Sequence, residues 1–480
     1  MTITNRMLIA LLLAFSLGCQ QTNIEFTEHQ PPTVAEFAPL NGAPTLSVPT
    51  HLSNNLSAII PSGQVKQVSL HQLPKRQSTL IDINLVLLNP NRPLHDIDVL
   101  QTALQLNAIA LAKRLSLSCI ETLQISARIH HISLAMTCPA EEVNTAIALL
   151  IKQWQPSSFD QLDMALVQRQ LKLSKHINAY SGAEIDRTWA KLILGADHPY
   201  TQSLNNPKWQ NELSTPQLAQ IQSNLLQGAQ WHLLLSEPID NALTTDLTPL
   251  LAKLPRTSTP ITKKALTNTA MSASNDKIYL IDAPGAVQTQ VRVGYRLPSG
   301  LVVAQQCQQL ASWLGRSFSG RLYYDLRETR GLTYGVYGRC YHNPQATTLK
   351  FYGNTKIQHT STFIKGIIDH LTLAQSQAVK APEVSALKTY LLSQYQLKGQ
   401  TPRSAQAYYI NELTLGATQT QIQQHIQQIE QLDSAQLNDS ANALMQASPI
   451  ILIRGDAEVI QPHLQTQFPQ RQVMLIAPTD

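Results

Sequence analysis

The sequence predicts an α+β protein of two homologous domains, each an antiparallel sheet covered by helices, which face each other across a cavity. Three observations carry this prediction. Short segments such as 80–86 alternate apolar and polar residues with the period of two that is typical of strands. Longer segments repeat apolar residues at the spacing of one helix face. The same order of elements recurs after about 210–220 residues, as expected of a duplicated domain.

The first half is predicted to place several helices on one face of a sheet. In chain order, it has strands at 80–86, 121–127, 130–137 and 231–235, and helices at 96–115, from about residue 140, and at 159–178, 183–194 and 215–226. The two middle strands are expected to form a hairpin with a tight turn near Arg128 and Ile129.

The second half repeats this order. It has strands at 287–295, paired strands within 334–353 and a strand at 450–453, and helices at 302–316, 359–374, 382–398, 404–415 and 419–445. The segment between the halves is polar and aperiodic, which is typical of a linker. We therefore predict a first domain at 61–256, a linker at 257–276 and a second domain at 277–480.

Composition excludes several classes of protein. Hydrophobic residues make up 43% of the chain, which is enough for packed cores and excludes general disorder. The net charge of +5 arises from 36 basic and 31 acidic residues without a basic cluster, so no nucleic-acid partner is predicted. The sequence predicts no transmembrane helix, because the apolar runs are too short to span a bilayer.

The N-terminus is predicted to be a targeting segment. Residues 1–18 combine a positive start at Arg6 with a short apolar stretch, as signal peptides do. The sequence Ser16-Leu17-Gly18-Cys19 resembles a bacterial lipobox, in which the cysteine is acylated. Gln20 follows it where inner-membrane lipoproteins typically carry aspartate, so we expect an outer-membrane lipoprotein that faces the periplasm. The alternative is an ordinary signal peptide in which Cys19 is incidental.

A tether and disulfides fit this location. Residues 19–60 are polar and contain several prolines, which predicts an extended tether to the membrane. Four cysteines remain if Cys19 is lipidated, and an even count in an exported protein favours disulfides. The hairpin places Cys119 opposite Cys138, and Cys307 with Cys340 would then join a helix to a strand. The alternative is four buried thiols.

The strongest local motif lies at 315–337, GRSFSGRLYYDLRETRGLTYGVY. Its residues predict a helix end, a Gly/Ser turn, a short helix with Arg327 near its last turn, and a strand that begins at Tyr334. Residues 318–336 resemble the C-terminal-domain signature of the pitrilysin/insulinase metallopeptidases, which include the mitochondrial processing peptidases. A weaker match is His198-Pro199-Tyr200, which is similar to the "HPY" segment late in the family's first domain. The resemblance covers roughly 60–470.

This resemblance implies a fold for peptide hydrolysis without its metal site. The family holds zinc with an H-x-x-E-H motif on a first-domain helix and a downstream glutamate, and the motif's own glutamate activates water. The present sequence has no such motif, and its helix at 96–115 contains neither histidine nor glutamate. The resemblance therefore implies no cofactor in this chain and no activity of the chain alone.

The second-domain signature, by contrast, is complete. In the family an arginine and a tyrosine seven residues apart bind the substrate backbone and support the oxyanion; the matching residues are Arg327 and Tyr334. The alternative is that Arg327 pairs with a neighbouring carboxylate and Tyr334 only packs. Some bacterial members divide the work between two chains, so the resemblance implies a zinc-bearing partner and peptide substrates. Membrane attachment is expected through the lipid on Cys19 alone.

Two other interpretations stay open. The chain could be a scaffold or peptide-binding protein that kept the fold and lost the chemistry, as some subunits of the respiratory chain did. It could also be an active hydrolase with an unfamiliar metal site, which metal analysis of the purified protein would detect.

Overall fold

A computed structural model describes residues 60–73, 79–112, 117–180, 183–202, 208–258 and 274–478. The predicted signal peptide, Cys19, the tether up to its last residue, and most of the predicted linker lie outside the described residues. The two sheets and their helices lie within one compact unit.

The first sheet has six strands in the order β1-β2-β6-β3-β5-β4. The strands are β1 (Ile60–Val65), β2 (Val68–Gln72), β3 (Leu80–Leu88), β4 (Gln124–Arg128), β5 (His131–Pro139) and β6 (Gln230–Leu235). Only β2 and β6 pair in parallel, and the other described neighbours are antiparallel. The sheet is therefore mixed rather than purely antiparallel, because the helical connection brings β6 back beside β2 in the same direction.

The first half also contributes eight described helices. They are α1 (Ile97–Ala112), α2 (Val143–Lys152), α3 (Met164–Tyr180), α4 (Ala183–Leu194), α5 (Pro199–Gln202), α6 (Trp209–Glu212), α7 (Thr215–Leu225) and α8 (Asn241–Leu251). Their apolar side chains and one sheet face form a common core that contains Leu85, Leu104 and Trp154.

The second sheet repeats the design with the order β12-β7-β11-β8-β10-β9. Its strands are β7 (Lys277–Asp282), β8 (Gln288–Leu297), β9 (Thr333–Asn343), β10 (Ala346–Lys356), β11 (Ile450–Gly455) and β12 (Gln472–Ile476). Strand β7 is parallel to both β11 and β12. The corresponding edge strand of the first sheet, β1, precedes the other strands of its half and is antiparallel to β2.

The second half contributes seven described helices and a π-helix. They are α9 (Leu301–Gly315), the π-helix Tyr323–Thr329, α10 (Thr360–Ser376), α11 (Ala381–Gly399), α12 (Pro402–Leu415), α13 (Gln419–Gln431), α14 (Ser434–Leu444) and α15 (Ala457–Gln467). The prediction of one continuous helix at 419–445 was wrong, because the structure has two helices there, α13 and α14. The second helix begins after Asp433, whose carboxylate accepts a hydrogen bond from the backbone N–H of Gln436.

Each half covers the second face of the other half's sheet with one helix. From the first half, α4 packs against the second sheet through a cluster that includes Ile185, Trp189 and Leu452. From the second half, α12 packs against the first sheet through Ala405 and Ile410. This reciprocal packing holds the two homologous domains face to face.

A polar cavity of about 530 Å³ remains between the first sheet and α12. Its lining residues, drawn from β3, the β4–β5 hairpin, the β9–β10 hairpin and α12, include Asn84, Arg128, His131, Asn343 and Arg403. The predicted cavity between the two domains is thus present. The described helices include no segment with the length and hydropathy of a membrane span.

Candidate functional site

Arg327 and Tyr334 lie side by side on two adjacent elements. Arg327 is in the π-helix and Tyr334 is near the start of β9. The guanidinium carbon of Arg327 is 4.8 Å from the centroid of the Tyr334 ring. Tyr334 is 85% exposed, so the phenol is available to a ligand rather than packed in the core.

Tyr334 projects outward because it is the extra residue of a β-bulge. Asn354 on β10 pairs with Gly335, and Thr355 pairs with Thr333, so Tyr334 has no cross-strand partner. Such bulges redirect one side chain and commonly occur beside functional sites. The turn that leads into β9 depends on Gly331, whose φ of +61° favours glycine.

Arg327 is held from a second side by Tyr323. Its guanidinium carbon lies 4.7 Å from the centroid of the Tyr323 ring, which is buried against the core. The guanidinium therefore contacts two tyrosine rings, and these contacts restrict its motion.

The alternative partner of Arg327 is also present. Its Nε is 3.4 Å from Oε1 of Glu328, whose side chain is 52% exposed. Solvent screens such a pair, so it contributes little energy and does not prevent the guanidinium from binding a carbonyl oxygen. The geometry thus keeps Arg327 and Tyr334 together and accessible.

Disulfides anchor the strands near both hairpins. Cys119 and Cys138 join the turn before β4 to the end of β5. Cys307 of α9 and Cys340 of β9 join the helix to the strand that carries Tyr334. These are the two pairs that the sequence analysis had placed together.

The His-Pro-Tyr segment has a structural role at the junction of the halves. The hydroxyl of Tyr200 is 2.8 Å from Nε2 of His130 in the β4–β5 turn. It also accepts a hydrogen bond of 2.9 Å from the backbone N–H of Gln345 in the β9–β10 turn. Tyr200 therefore fastens the tips of the two corresponding hairpins to each other. His130 was expected in a strand but lies in the turn.

The residues that the structure describes do not form a zinc site. Within the described ranges, no three His, Cys, Asp or Glu side chains converge as metal ligands would. Helix α1, at the position where the resemblance would place the zinc-binding helix, presents Val99, Leu100 and Leu104 to the core. No step of a reaction is therefore assigned to a metal in this chain.

The residues that line the polar cavity were not predicted from the sequence. In its wall the side-chain amide of Asn84 donates a 2.9 Å hydrogen bond to Oε1 of Gln406 across the two halves. Burial lowers the pKa of His131 to about 4, so its imidazole is neutral near pH 7. The only sequence signal was polar residues, such as Asn84, within otherwise apolar strands.

One part of the chain matches the model of a known protein family. Residues 241–391 match the model of the peptidase M16 inactive domain, a stretch that includes α9, Arg327 and Tyr334. No curated protein matches the chain.

Solved structures share the fold over most of the chain. A peptidase M16 inactive domain from Pseudomonas fluorescens is 14% identical, with a TM-score of 0.68, over 82% of this chain and 98% of that one. A chain of complex III2 from Candida albicans is 10% identical, with a TM-score of 0.66, over 86% and 99%. The periplasmic protease PqqL from Escherichia coli is 10% identical, with a TM-score of 0.60, over 83% of this chain and 46% of that one. The resemblance to insulinase-like peptidases of the type without zinc is confirmed.

Proposed function

We propose that this chain, an insulinase-like (peptidase M16) protein of the type without a zinc site, is the peptide-binding subunit of a two-chain metallopeptidase. A zinc-bearing insulinase-like partner would provide the metal, the water and the general base. This chain provides Arg327 and Tyr334. The observation that carries the proposal is their stacked and exposed arrangement at 4.8 Å.

The chemistry of these two groups suits a peptide bond under attack. When a water adds to the carbonyl carbon, negative charge develops on the oxygen, and fixed donors aimed at that oxygen lower the barrier. The Arg327 guanidinium offers several N–H donors in a plane held by two rings, and the Tyr334 hydroxyl offers another. Neither group supplies a nucleophile, so the chain alone is not expected to cleave peptides.

The cellular location is proposed on separate grounds. Acylation of Cys19 would hold the protein on the outer membrane, with the folded halves in the periplasm and the tether between them. Two disulfides fit that oxidising compartment. Labelling with a fatty acid analogue should mark the wild-type protein and not the Cys19→Ala variant.

The test of the two-chain proposal is an assay of peptide cleavage. The chain is assayed alone and mixed with a zinc-bearing insulinase-like protein from the same cell. In the mixture, Arg327→Ala should lower kcat by roughly 10²-fold, the typical effect of removing an oxyanion donor. The matched control is Arg330→Ala, which removes a nearby arginine paired with Asp325 and should leave kcat within about twofold of wild type. Chelator-sensitive cleavage by the chain alone would contradict the proposal.

The second candidate is a scaffold or peptide-binding protein with no part in catalysis. The contact between Arg327 and Glu328 favours it to the extent that it occupies the guanidinium. Purification from the native membrane separates the two candidates. A stoichiometric zinc-bearing partner supports the two-chain peptidase, whereas an assembly without any zinc-bearing subunit supports the scaffold.

A further inference from the structure

A cluster of cations and tyrosines lies on one face of the second sheet. The cluster, which we call the basic–tyrosine cluster, consists of Arg292 on β8, Tyr337, Arg339 and Tyr341 on β9, and Lys350 and Tyr352 on β10. Cross-strand register places them on the same face, because Tyr352 pairs with both Tyr337 and Arg292, and Lys350 pairs with Arg339. This is the face that α4 covers, opposite the face that packs on α9.

The tyrosine rings surround the cations. Lys350 Nζ lies 4.9 Å from the centroid of Tyr341 and 5.1 Å from that of Tyr352. The guanidinium carbon of Arg292 is 5.3 Å from the Tyr352 ring, and Nε of Arg339 donates to its hydroxyl at 3.4 Å. The negative faces of the rings stabilise the cations in part, but they carry no net charge.

The cluster has more positive than negative charge. Asp186 of α4 is its one carboxylate among the ion pairs of the described residues, and a single oxygen, Oδ1, lies 2.7 Å from Arg292 and 2.9 Å from Lys350. Arg339 forms no ion pair with any described residue, so the three cations exceed the carboxylate by two charges. The side chains of Arg292 and Lys350 are only 7% and 4% exposed. Two buried cations that share one carboxylate, with the exposed Arg339 beside them, favour a further anion.

The cluster is open on the side of the edge strand. Tyr341 is 43% exposed, the Asp186 side chain is 44% exposed, and Arg339 is also exposed. Among the described strands, β9 pairs only with β10, and it also carries Tyr334. At about 3.4 Å per residue, Arg339 lies roughly 17 Å along the strand from Tyr334.

We infer that the basic–tyrosine cluster is a subsite for a carboxylate of a bound peptide, about five residues from the peptide bond held by Arg327 and Tyr334. The inference rests on the proposed function, because it needs a peptide that extends along β9. Its ligand chemistry is a carboxylate, which an acidic side chain or a free C-terminus can supply. The subsite would make the protein prefer acidic peptides.

The test compares peptide affinities by fluorescence anisotropy on the purified chain. The labelled peptides differ at one position, Glu or Gln, and each is made with a free and with an amidated C-terminus. The amidated Glu peptide should bind about tenfold more tightly than its Gln counterpart, and added salt should reduce the difference. If only the free C-terminus raises affinity, the carboxylate is terminal, and the subsite still stands.

Variants assign the preference to the cluster. Arg339→Gln removes the exposed cation and should reduce the preference for the carboxylate to about twofold or less, with the affinity of the amidated Gln peptide unchanged. Asp186→Asn removes the competing carboxylate and should increase the preference. The matched control is Arg169→Gln, which replaces an exposed arginine on α3 outside the cluster. This variant should leave the preference for the carboxylate unchanged.

Two results would overturn the inference, and they differ. If no carboxylate is preferred, or if Arg339→Gln leaves the preference intact, while Arg327→Ala weakens all peptides, the subsite is wrong and the peptide-binding function stands. If no peptide binds, or Arg327→Ala has no effect on binding, the proposed function fails and the subsite fails with it. Thermal unfolding of each variant shows that loss of binding is not loss of fold.

Discussion

At the scale of single residues, the structure explains why the Arg327–Tyr334 pair has a fixed geometry. A bulge places Tyr334 outside the ladder, and the Tyr323 ring makes a second contact with the Arg327 guanidinium. Neither contact requires a bound substrate. On the proposed function, the two groups would thus be held in place before a peptide arrives, which would reduce the entropy lost on binding.

The ion pairs of Asp186 give the first stability prediction. Asp186→Asn leaves the Arg292 and Lys350 cations without a counter-charge at the contact between α4 and the second sheet. Because the Asp186 side chain is 44% exposed, water compensates in part, and we expect a loss of about 1–2 kcal/mol in the free energy of unfolding. Urea denaturation measures it. Asp369→Asn, which breaks an exposed pair with Lys365, should cost less than about 0.5 kcal/mol; equal losses would contradict the argument.

Single residues also mark the limit of prediction from sequence. Arg327 and Tyr334 were found because their motif is local. The partners of Asp186 lie 106 and 164 residues away along the chain, and no sequence pattern connects them. Arg292 and Lys350 sit in strands that alternate normally, so their burial depends on a helix from the other half.

At the scale of elements, strongly periodic segments were predicted well. The helix at 183–194 coincides with Ala183–Leu194, and the strand at 80–86 is β3, extended by two residues. Strands β1, β2, β7 and β12 were not predicted. Pro61 and Gly63 weaken the strand pattern of β1, and β12 is a short edge strand with exposed apolar residues, so tertiary pairing rather than periodicity determines both.

The contact between α9 and β9 fixes the position of the strand that carries Tyr334. The backbone of Gly338 on β9 approaches α9 so closely that a Cβ there would lie 2.3 Å from the carbonyl oxygen of Ala311. The disulfide between Cys307 and Cys340 closes a loop of 33 residues across the same contact. The strand that carries Tyr334 is thus fixed against a buried helix.

Removing that disulfide should affect stability and peptide binding together. The double variant Cys307→Ala/Cys340→Ala should lose about 3–4 kcal/mol of unfolding free energy, from the entropy of the unlinked loop, and bind peptides several-fold more weakly. The control, Cys119→Ala/Cys138→Ala, removes a bridge that closes 19 residues in the other half. It should lose about 3 kcal/mol with unchanged peptide affinity. Peptide titrations and denaturation of both variants check this, and equal effects on binding would refute the positioning role.

At the scale of the whole molecule, the exchange of helices makes each half depend on the other. The sequence predicted two homologous domains and a cavity, but it did not predict which helix crosses over. Helix α12 brings Tyr409 to a pair of histidines in the first sheet, where its hydroxyl lies 3.2 Å from Nδ1 of His71. His71 Nε2 is in turn 2.9 Å from Nδ1 of His232. This buried polar chain links the halves only while the histidines are neutral.

Acid should therefore lower the free energy of unfolding, because it protonates these histidines. Burial lowers the pKa of His71 to about 4, and burial followed by the charge of His71 lowers that of His232. In the unfolded chain a histidine titrates near 6.5, so below that pH the unfolded state binds protons that the folded state excludes. The contribution of the neutral histidines to the free energy of unfolding is fully present above pH 6.5 and is lost as the pH falls toward 4. At pH 4.5 the loss from His71 is about 2–3 kcal/mol.

The measurement is the free energy of unfolding at pH 7 and at pH 4.5. His71→Gln keeps a polar group beside Tyr409 but cannot titrate, so its decrease between the two pH values should be smaller than that of wild type by about 2–3 kcal/mol. His463→Gln removes an exposed histidine from α15 and should reproduce the wild-type decrease. If His71→Gln shows the same decrease as wild type, the buried histidines do not set the acid sensitivity, and the contact of α12 with the first sheet must be held by its apolar residues alone.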